Sequence, residues 1–292
     1  MLYIILEYIV LAATFTLAKQ TLSYAPYLLL LTVRFVLGTG LLLVPAALCG
    51  LIDLKKIWRD KSLFLLAGLL HMYLAFVPEF WALQHLPSAK VALYYALTPF
   101  VSALLSYALW RERLSWYQLL GMGVAAGGMV PLFVADAALS FSFALPDLMV
   151  LGAVFSAASA WFVIKKLMDR GHHLVTVNGI TMALGALLCG ASMLVAAPQA
   201  WQQVTQPYAF MGWLVLLVLL SHGVSYNLYS WLLMRYSITF MTLCGFMCPL
   251  FSAGFGALFL HEQLSWQYWT GLAAVVLGLV LFTHKTVKKH KK

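Results

Sequence analysis

The sequence predicts an all-α integral membrane protein of ten transmembrane helices, arranged as two inverted five-helix repeats. Three observations lead there: the composition, a self-alignment and the placement of charge. Of 292 residues, 63% are hydrophobic and only 9% charged, at a mean hydropathy of +0.91. Soluble domains carry about 25% charged residues, so this chain has too little polar surface for water. Strand-type alternation is absent, which argues against an outer-membrane barrel. Shifting the chain by 150 residues lays it over itself without a gap, and nine of the thirty positions from Pro99 to Gly128 recur. They are Pro99/Pro249, Ser102/Ser252, Ala103/Ala253, Glu112/Glu262, Leu114/Leu264, Ser115/Ser265, Trp116/Trp266, Gly121/Gly271 and Gly128/Gly278; Trp81/Trp231 and Gly40/Gly190 keep the same register.

A bilayer core about 30 Å thick takes about 20 apolar residues per helix. Ten runs fit: 2–19, 26–49, 62–84, 88–109, 116–134, 146–164, 174–197, 208–234, 238–260 and 266–283. Pro26, Pro87 and Pro146 stand near helix starts, where a missing N–H costs nothing. The first run lacks a basic n-region and a small-residue cleavage site, so it reads as a retained helix. Ser115-x-x-Gln118 has capping-box form at the start of the fifth helix. The repeated Glu112 and Glu262 flank that junction in each copy and are expected to hold it. The organisation is therefore a first repeat over 1–135, a second over 146–284 and a basic tail over 285–292. Cys49, Cys189, Cys244 and Cys248 lie within or at the ends of helices without a metal-binding spacing, and read as small apolar packers.

The formal net charge of +9 is strongly asymmetric. With the N-terminus cytoplasmic, Lys55, Lys56, Arg59, Lys61, Arg111, Arg113, Lys165, Lys166, Arg170, Arg235 and the five lysines of the tail all fall inside, and only Lys19 lies in an outer loop. This is the positive-inside pattern; it explains the charge without nucleic acid, and it sets the tail against anionic lipid headgroups. Five helices per repeat is an odd number, so the second copy enters the membrane upside down. The loops agree: Arg111-Glu112-Arg113 becomes His261-Glu262-Gln263 in the second copy, and the basic stretch 55–61 becomes uncharged around Thr205–Met211. Inverted repeats support alternating access around a site near the midplane.

The Glu-x-Leu-Ser stretch after a proline-containing helix, leading into a glycine-rich one, resembles the EamA-type members of the drug/metabolite transporter superfamily. Thr32-Val33-Arg34-Phe35, Leu83 through Pro99, Glu112-Arg113-Leu114-Ser115, Pro249 and Leu260-His261-Glu262-Gln263-Leu264 carry the likeness, which runs through nearly the whole chain. It implies ten helices, a multi-pass protein of the inner membrane with both termini cytoplasmic, and movement of small metabolites. One departure is the first helix, where Ala12-Ala13-Thr14-Phe15 stands in place of the Trp-Gly pair of many members.

Ionisable side chains are costly in a bilayer, and each is a functional candidate. Arg34 sits roughly 12 Å, and Glu79 roughly 10 Å, below the outer surface at 1.5 Å per residue, so the two are expected to pair, as a structural lock or as a substrate or proton site. Pro78, directly before Glu79, frees a backbone carbonyl near Leu74; Pro99 and Pro249 occupy equivalent places in the fourth and ninth helices, and the three are candidate hinges. His71 and His222 are midspan and titrate near neutrality, which suits proton coupling. Trp81, Tyr94, Tyr95, Trp161, Tyr226, Asn227, Tyr229 and Trp231 lie on central helices, where aromatic faces attract cations. Glu7 is expected to reach the cytoplasmic interface, Lys90 to snorkel outward, and His172 and His173 to sit in a loop without special role. Gly123-x3-Gly127 permits close helix approach, to a second copy in a homodimer or, as expected here, within the chain.

These features predict a secondary transporter for a small solute, with proton coupling open and no cofactor or metal. An amino acid, or an adenosylated or zwitterionic derivative such as S-adenosylmethionine, would suit aromatics beside an embedded carboxylate; a drug or toxic-compound exporter of the same fold is the alternative. No phosphate-binding loop, His-Glu-x2-His or Gly-x-Ser-x-Gly is present, which speaks against ATP drive and against an intramembrane transferase. A scaffold would not need Arg34 or Glu79 inside the bilayer.

Overall fold

The computed structural model describes residues 2–86, 91, 94, 95, 97–111, 114–134, 144–248, 250, 251, 254 and 266–283, and every regular element among them is helical. In chain order these are α1 (Leu2–Leu22), α2 (Tyr27–Leu48), the short α3 (Leu54–Arg59), α4 (Lys61–Ala82), α5 (Thr98–Trp110), α6 (Trp116–Val134), α7 (Leu145–Asp169), α8 (Leu174–Ala196), α9 (Pro207–Leu233), α10 (Ile238–Cys244) and α11 (Trp266–Thr283). Six of them, α1, α2, α4, α7, α8 and α9, are long and apolar enough to cross a membrane, and shorter apolar helices accompany them. Pro249, Lys90, Glu112, Glu262 and the tail 285–292 lie outside the described residues.

Local signals set the helix ends. Pro26 precedes α2, and Pro146 and Pro207 stand in the first turns of α7 and α9, where no helical N–H is lost. The capping box at α6 forms as expected: the Ser115 N–H donates to Gln118 Oε1 at 2.8 Å, and the Gln118 N–H donates to Ser115 Oγ at 3.4 Å. Ahead of α7, the Asp147 carboxylate accepts the Ala144 N–H at 2.7 Å.

Two helices are wound wide at midspan. In α4, residues Leu69–Tyr73 form a π turn, and in α9 residues Leu219–Ser225 do the same. The two begin 150 residues apart, in the register of the self-alignment. Pro78 occupies the first turn of Phe76–Ala82, the segment of α4 that restarts after the π turn. The helix is interrupted at Leu74 and Ala75, one turn before the proline, whose ring has no N–H to donate to the Leu74 carbonyl. Pro99 likewise stands in the first turn of α5, and the Thr98 hydroxyl donates to the Tyr95 carbonyl at 2.6 Å across the break.

Packing follows the internal alignment as well. Helices α2 and α8, equivalent under the shift, lie against one another, as do α6 with α11, and α4 packs on α7 as α1 packs on α9; α5 packs on α10, which is not its equivalent. Glycines bring the backbones together. A Cβ on Gly121 would come within 2.5 Å of the Gly278 carbonyl, and Gly128 faces Ala274 and Gly271. Rising numbers on α6 thus meet falling numbers on α11, so the two run antiparallel. Gly179 against Leu43 and Gly190 against Thr32 give α2 and α8 the same sense. Gly123 and Gly127, the expected contact pair, face open space, because the other side of α6 is the one turned to α11.

The two ends of the bundle are tied differently. At the basic end, Asp60 accepts from Arg170 Nη1 and, at 2.9 Å, from His172 Nε2, while Lys56 Nζ donates to the Gly171 carbonyl at 2.6 Å. His172 is not a loop residue without role: it is buried edge-on against Phe64 at 5.0 Å between ring centres. At the opposite end, the Thr205 N–H and hydroxyl donate to the Tyr24 carbonyl at 2.9 and 3.4 Å.

Candidate functional site

The π turn of α9 aims His222 at α2. The ring is fully buried, and Arg34 Nε donates to its Nε2 at 3.1 Å. Nε2 must therefore be the acceptor, which puts the proton of a neutral imidazole on Nδ1, an atom without a hydrogen-bond partner. Gly38, one turn along α2 from Arg34, makes room: a Cβ there would lie 2.8 Å from the His222 ring. The guanidinium also sits 5.0 Å from the centre of the Phe76 ring, a cation–π distance, and Arg34 is only 4% exposed.

Glu79 is 6% exposed and accepts the Tyr95 hydroxyl at 2.7 Å on Oε2. Among the described residues no Arg34–Glu79 ion pair closes within 4.0 Å, so the direct pair expected from their depths is replaced by separate partners, His222 and Tyr95. The two charges still feel one another across the cluster. A wall of rings completes it. His71 meets Trp161 at 4.4 Å and Tyr226 at 5.1 Å, both edge to face; Tyr226 stacks on His222 at 5.2 Å; and Trp161 lies 4.2 Å from Tyr229. The result is one buried cation, one buried carboxylate and two imidazoles bordered by a tryptophan and tyrosines, drawn from α2, α4, α7 and α9.

Other expected residues fall elsewhere. Tyr94 turns away from Glu79 and donates to Asp147 Oδ1 at 2.8 Å, tying its helix to α7. Trp81 stacks on His85, and Trp231 packs between Tyr3 and the Arg235 guanidinium, so neither joins the cluster. Asn227 acts through the backbone: its Nδ2 donates to the carbonyls of His222 and Gly223 in the wide turn, at 2.8 and 3.0 Å. Its own Oδ1 accepts from Asn178, which also donates to the Tyr226 carbonyl and Ser230 Oγ. Two surface grooves, one walled by Trp116, Leu119, Leu120, Gly123 and Val124 and the other by Phe100, Leu104, Tyr107 and Met122 among others, are apolar and share no residue with the cluster.

Sequence reasoning missed two groups. Glu7 does not reach an interface; it is 1% exposed and accepts the Ser225 hydroxyl at 2.6 Å. Asn178 and Ser230, fully buried, support the π turn of α9. A polar residue in an apolar run was the available signal for each, but which neighbour it would meet depends on helix rotation.

The EamA-like transporter family model matches residues 1–134 and again 144–284. The chain belongs to this family. It is therefore a multi-pass membrane protein of a transporter family. A protein named S-adenosylmethionine/S-adenosylhomocysteine transporter, from Chlamydia trachomatis serovar L2, is 28% identical over 287 residues, covering 95% of this chain and 87% of its own length. A protein of the same name from Chlamydia muridarum is 27% identical over 292 residues, with 95% and 89% covered. A crystal structure matches with a TM-score of 0.78 at 19% identity over 99% of this chain and 98% of the other, a likeness of fold.

Proposed function

We propose that this protein is a secondary transporter that carries a zwitterionic metabolite of the S-adenosylmethionine/S-adenosylhomocysteine type by alternating access. The observation that carries the reading is the buried juxtaposition of Arg34, Glu79 and the Trp161–Tyr226–Tyr229 wall. An amino-acid group presents a carboxylate and an ammonium. Arg34 offers a fork of donors to the first and Glu79 an acceptor to the second. The rings can stack an adenine and attract a sulfonium cation. The names of the relatives agree with this chemistry.

Ten helices in two inverted halves, with both termini cytoplasmic in an inner membrane, are part of the proposal. Two separate family matches, the π turns in common register and the antiparallel glycine contacts support the halves. The convergence of Lys56, Asp60 and Arg170 at one end supports the orientation, since basic loops stay inside. The solute would be moved unchanged, with the halves rocking about the cluster.

The test is uptake of labelled S-adenosylmethionine into liposomes holding the purified protein and loaded with S-adenosylhomocysteine. Label should accumulate without conversion. Glu79→Gln keeps size and Tyr95 contact but loses the charge, and should cut uptake at least tenfold with expression intact. Wild-type uptake no faster than empty liposomes sinks the solute class, and full activity in Glu79→Gln removes Glu79 from the mechanism.

A further inference from the structure

We infer that Glu7 is a proton-binding site, a second buried carboxylate that shares the Tyr226–Tyr229 wall with the Arg34–Glu79 cluster, held between α1 and the helices α9 and α10. The inference goes beyond the transport proposal and does not depend on which solute is carried.

The site is built from both halves of the chain. Glu7 Oε1 accepts from Ser225, the last residue of the α9 π turn, while Oε2 is buried with no hydrogen-bond partner. The next residue, Tyr8, donates its hydroxyl to the Met241 carbonyl on α10, and the Cys248 thiol lies 3.8 Å from the Tyr8 carbonyl. The titratable groups facing Glu7 are Tyr8 on its own helix, Tyr226 and Tyr229 on α9, and Cys248 beyond α10, with Cys244 close by next to Tyr8 and Tyr229. Phenols and thiols of this kind are neutral in their ordinary forms. Among the described residues no Lys, Arg or His pairs with Glu7, and Arg34 is engaged by His222 and the Phe76 ring.

An ionised carboxylate in that setting would be a buried anion with a single hydroxyl donor, the arrangement that burial penalises most. Two species can relieve it, a metal cation or a proton. A hard cation takes six or so oxygen ligands, and here the further neighbours are thiols and aromatic rings. A proton on Oε2 removes the charge outright and leaves Oε1 as the carbonyl oxygen that Ser225 bonds. Because α1 belongs to one half and α9 and α10 to the other, separating them would break the Ser225 contact and wet Oε2. The O–H bond then breaks heterolytically, the proton passes to water and the carboxylate keeps the electron pair. The site holds its proton when the halves are closed on it and yields it when they part.

Infrared spectroscopy of the full-length protein in lipid, at neutral pH, tests this with no solute present. The carbonyl stretch of a protonated carboxyl group should appear in the wild type and be lost in Glu7→Gln, so that it stands out in the wild-type-minus-variant difference spectrum. In Ser225→Ala the same band should move to higher frequency, because the hydrogen bond that weakens the C=O bond is gone. This second variant leaves Glu7 in place and keeps the test decisive where Glu7→Gln fails to fold. On transfer to D2O the band should shift slowly, at the pace at which the halves open. A protonated-carboxyl band unchanged in Glu7→Gln, a band insensitive to Ser225→Ala, or deuteration complete within mixing time each overturns the proposal. Since no transport is measured, failure of the solute assignment and failure of this site are read separately.

Discussion

Adding one methyl group at Gly278 tests the way α6 and α11 are joined. A Cβ there would stand 2.5 Å from the Gly121 carbonyl oxygen, 2.7 Å from Ala125 Cβ and 3.0 Å from Ala125 N. All three neighbours are backbone or a methyl fixed to it, so no flexible side chain can swing aside. Ordinary contact begins near 3.4 Å, so the helices would have to part by about 1 Å along a dry interface. Overpacking of this kind costs about 1–3 kcal/mol. A gap of that size also forfeits roughly a quarter to a half of each neighbouring dispersion contact. Gly123→Ala is the matched control. It gains the same helix propensity, about 1 kcal/mol, on the facing helix α6, but its Cβ would meet nothing within 4 Å. Thermal unfolding in detergent, followed by tryptophan fluorescence, should show Gly278→Ala melting well below wild type and Gly123→Ala at or above it. Equal melting temperatures for the two variants would refute the antiparallel glycine seam.

Further outcomes follow from the polar groups. At the basic end, the His172 hydrogen bond, then those from Arg170 and Arg59, hold the Asp60 carboxyl down at about 2, against an ordinary value of 3.8, despite partial desolvation. A carboxyl depressed on folding stabilises the native state above its ordinary value and loses that contribution as pH falls from about 4 to about 2. Asp60→Asn should therefore lower the melting temperature at neutral pH and flatten its fall across that acid range; an unchanged pH profile would dismiss the network as a contributor. Asn178→Ala strips donors from the Tyr226 carbonyl, Asn227 Oδ1 and Ser230 Oγ. A buried polar group left unpaired costs about 1–3 kcal/mol, so this variant should melt early and exchange its α9 amide hydrogens faster around 219–225; native-like protection there would show that the π turn does not depend on it.

Membrane class, helical architecture and family were legible because they rest on composition and on recurring residues. The burial of Arg34 and Glu79 within helices was legible too, from ionisable residues standing inside apolar runs. What each of them touches was not. Depth fixes a height in the bilayer, whereas the rotation of α2 and α4 decides that Arg34 meets His222 and that Glu79 meets Tyr95. The π turns rotate everything after them, and no residue pattern in apolar stretches encodes them; Asn227, whose amide bonds the His222 and Gly223 carbonyls, is visible in the sequence only as a candidate lining residue. Glu7 was misplaced for the same reason, since proximity to a helix end says nothing about the helices that cover it. The glycines teach the reverse. Gly121, Gly128, Gly271 and Gly278 already stood out in the self-alignment, and they, not the Gly123-x3-Gly127 spacing, mark the seam.

The two family-matched stretches, 1–134 and 144–284, are tied to one another at both rims of the bundle. The ties at their two rims are unequal, ionic at Asp60 and a pair of bonds to one carbonyl at Tyr24. The rims therefore answer to different conditions: acid or salt loosens the charged knot, while the uncharged pair of bonds to one carbonyl is indifferent to both.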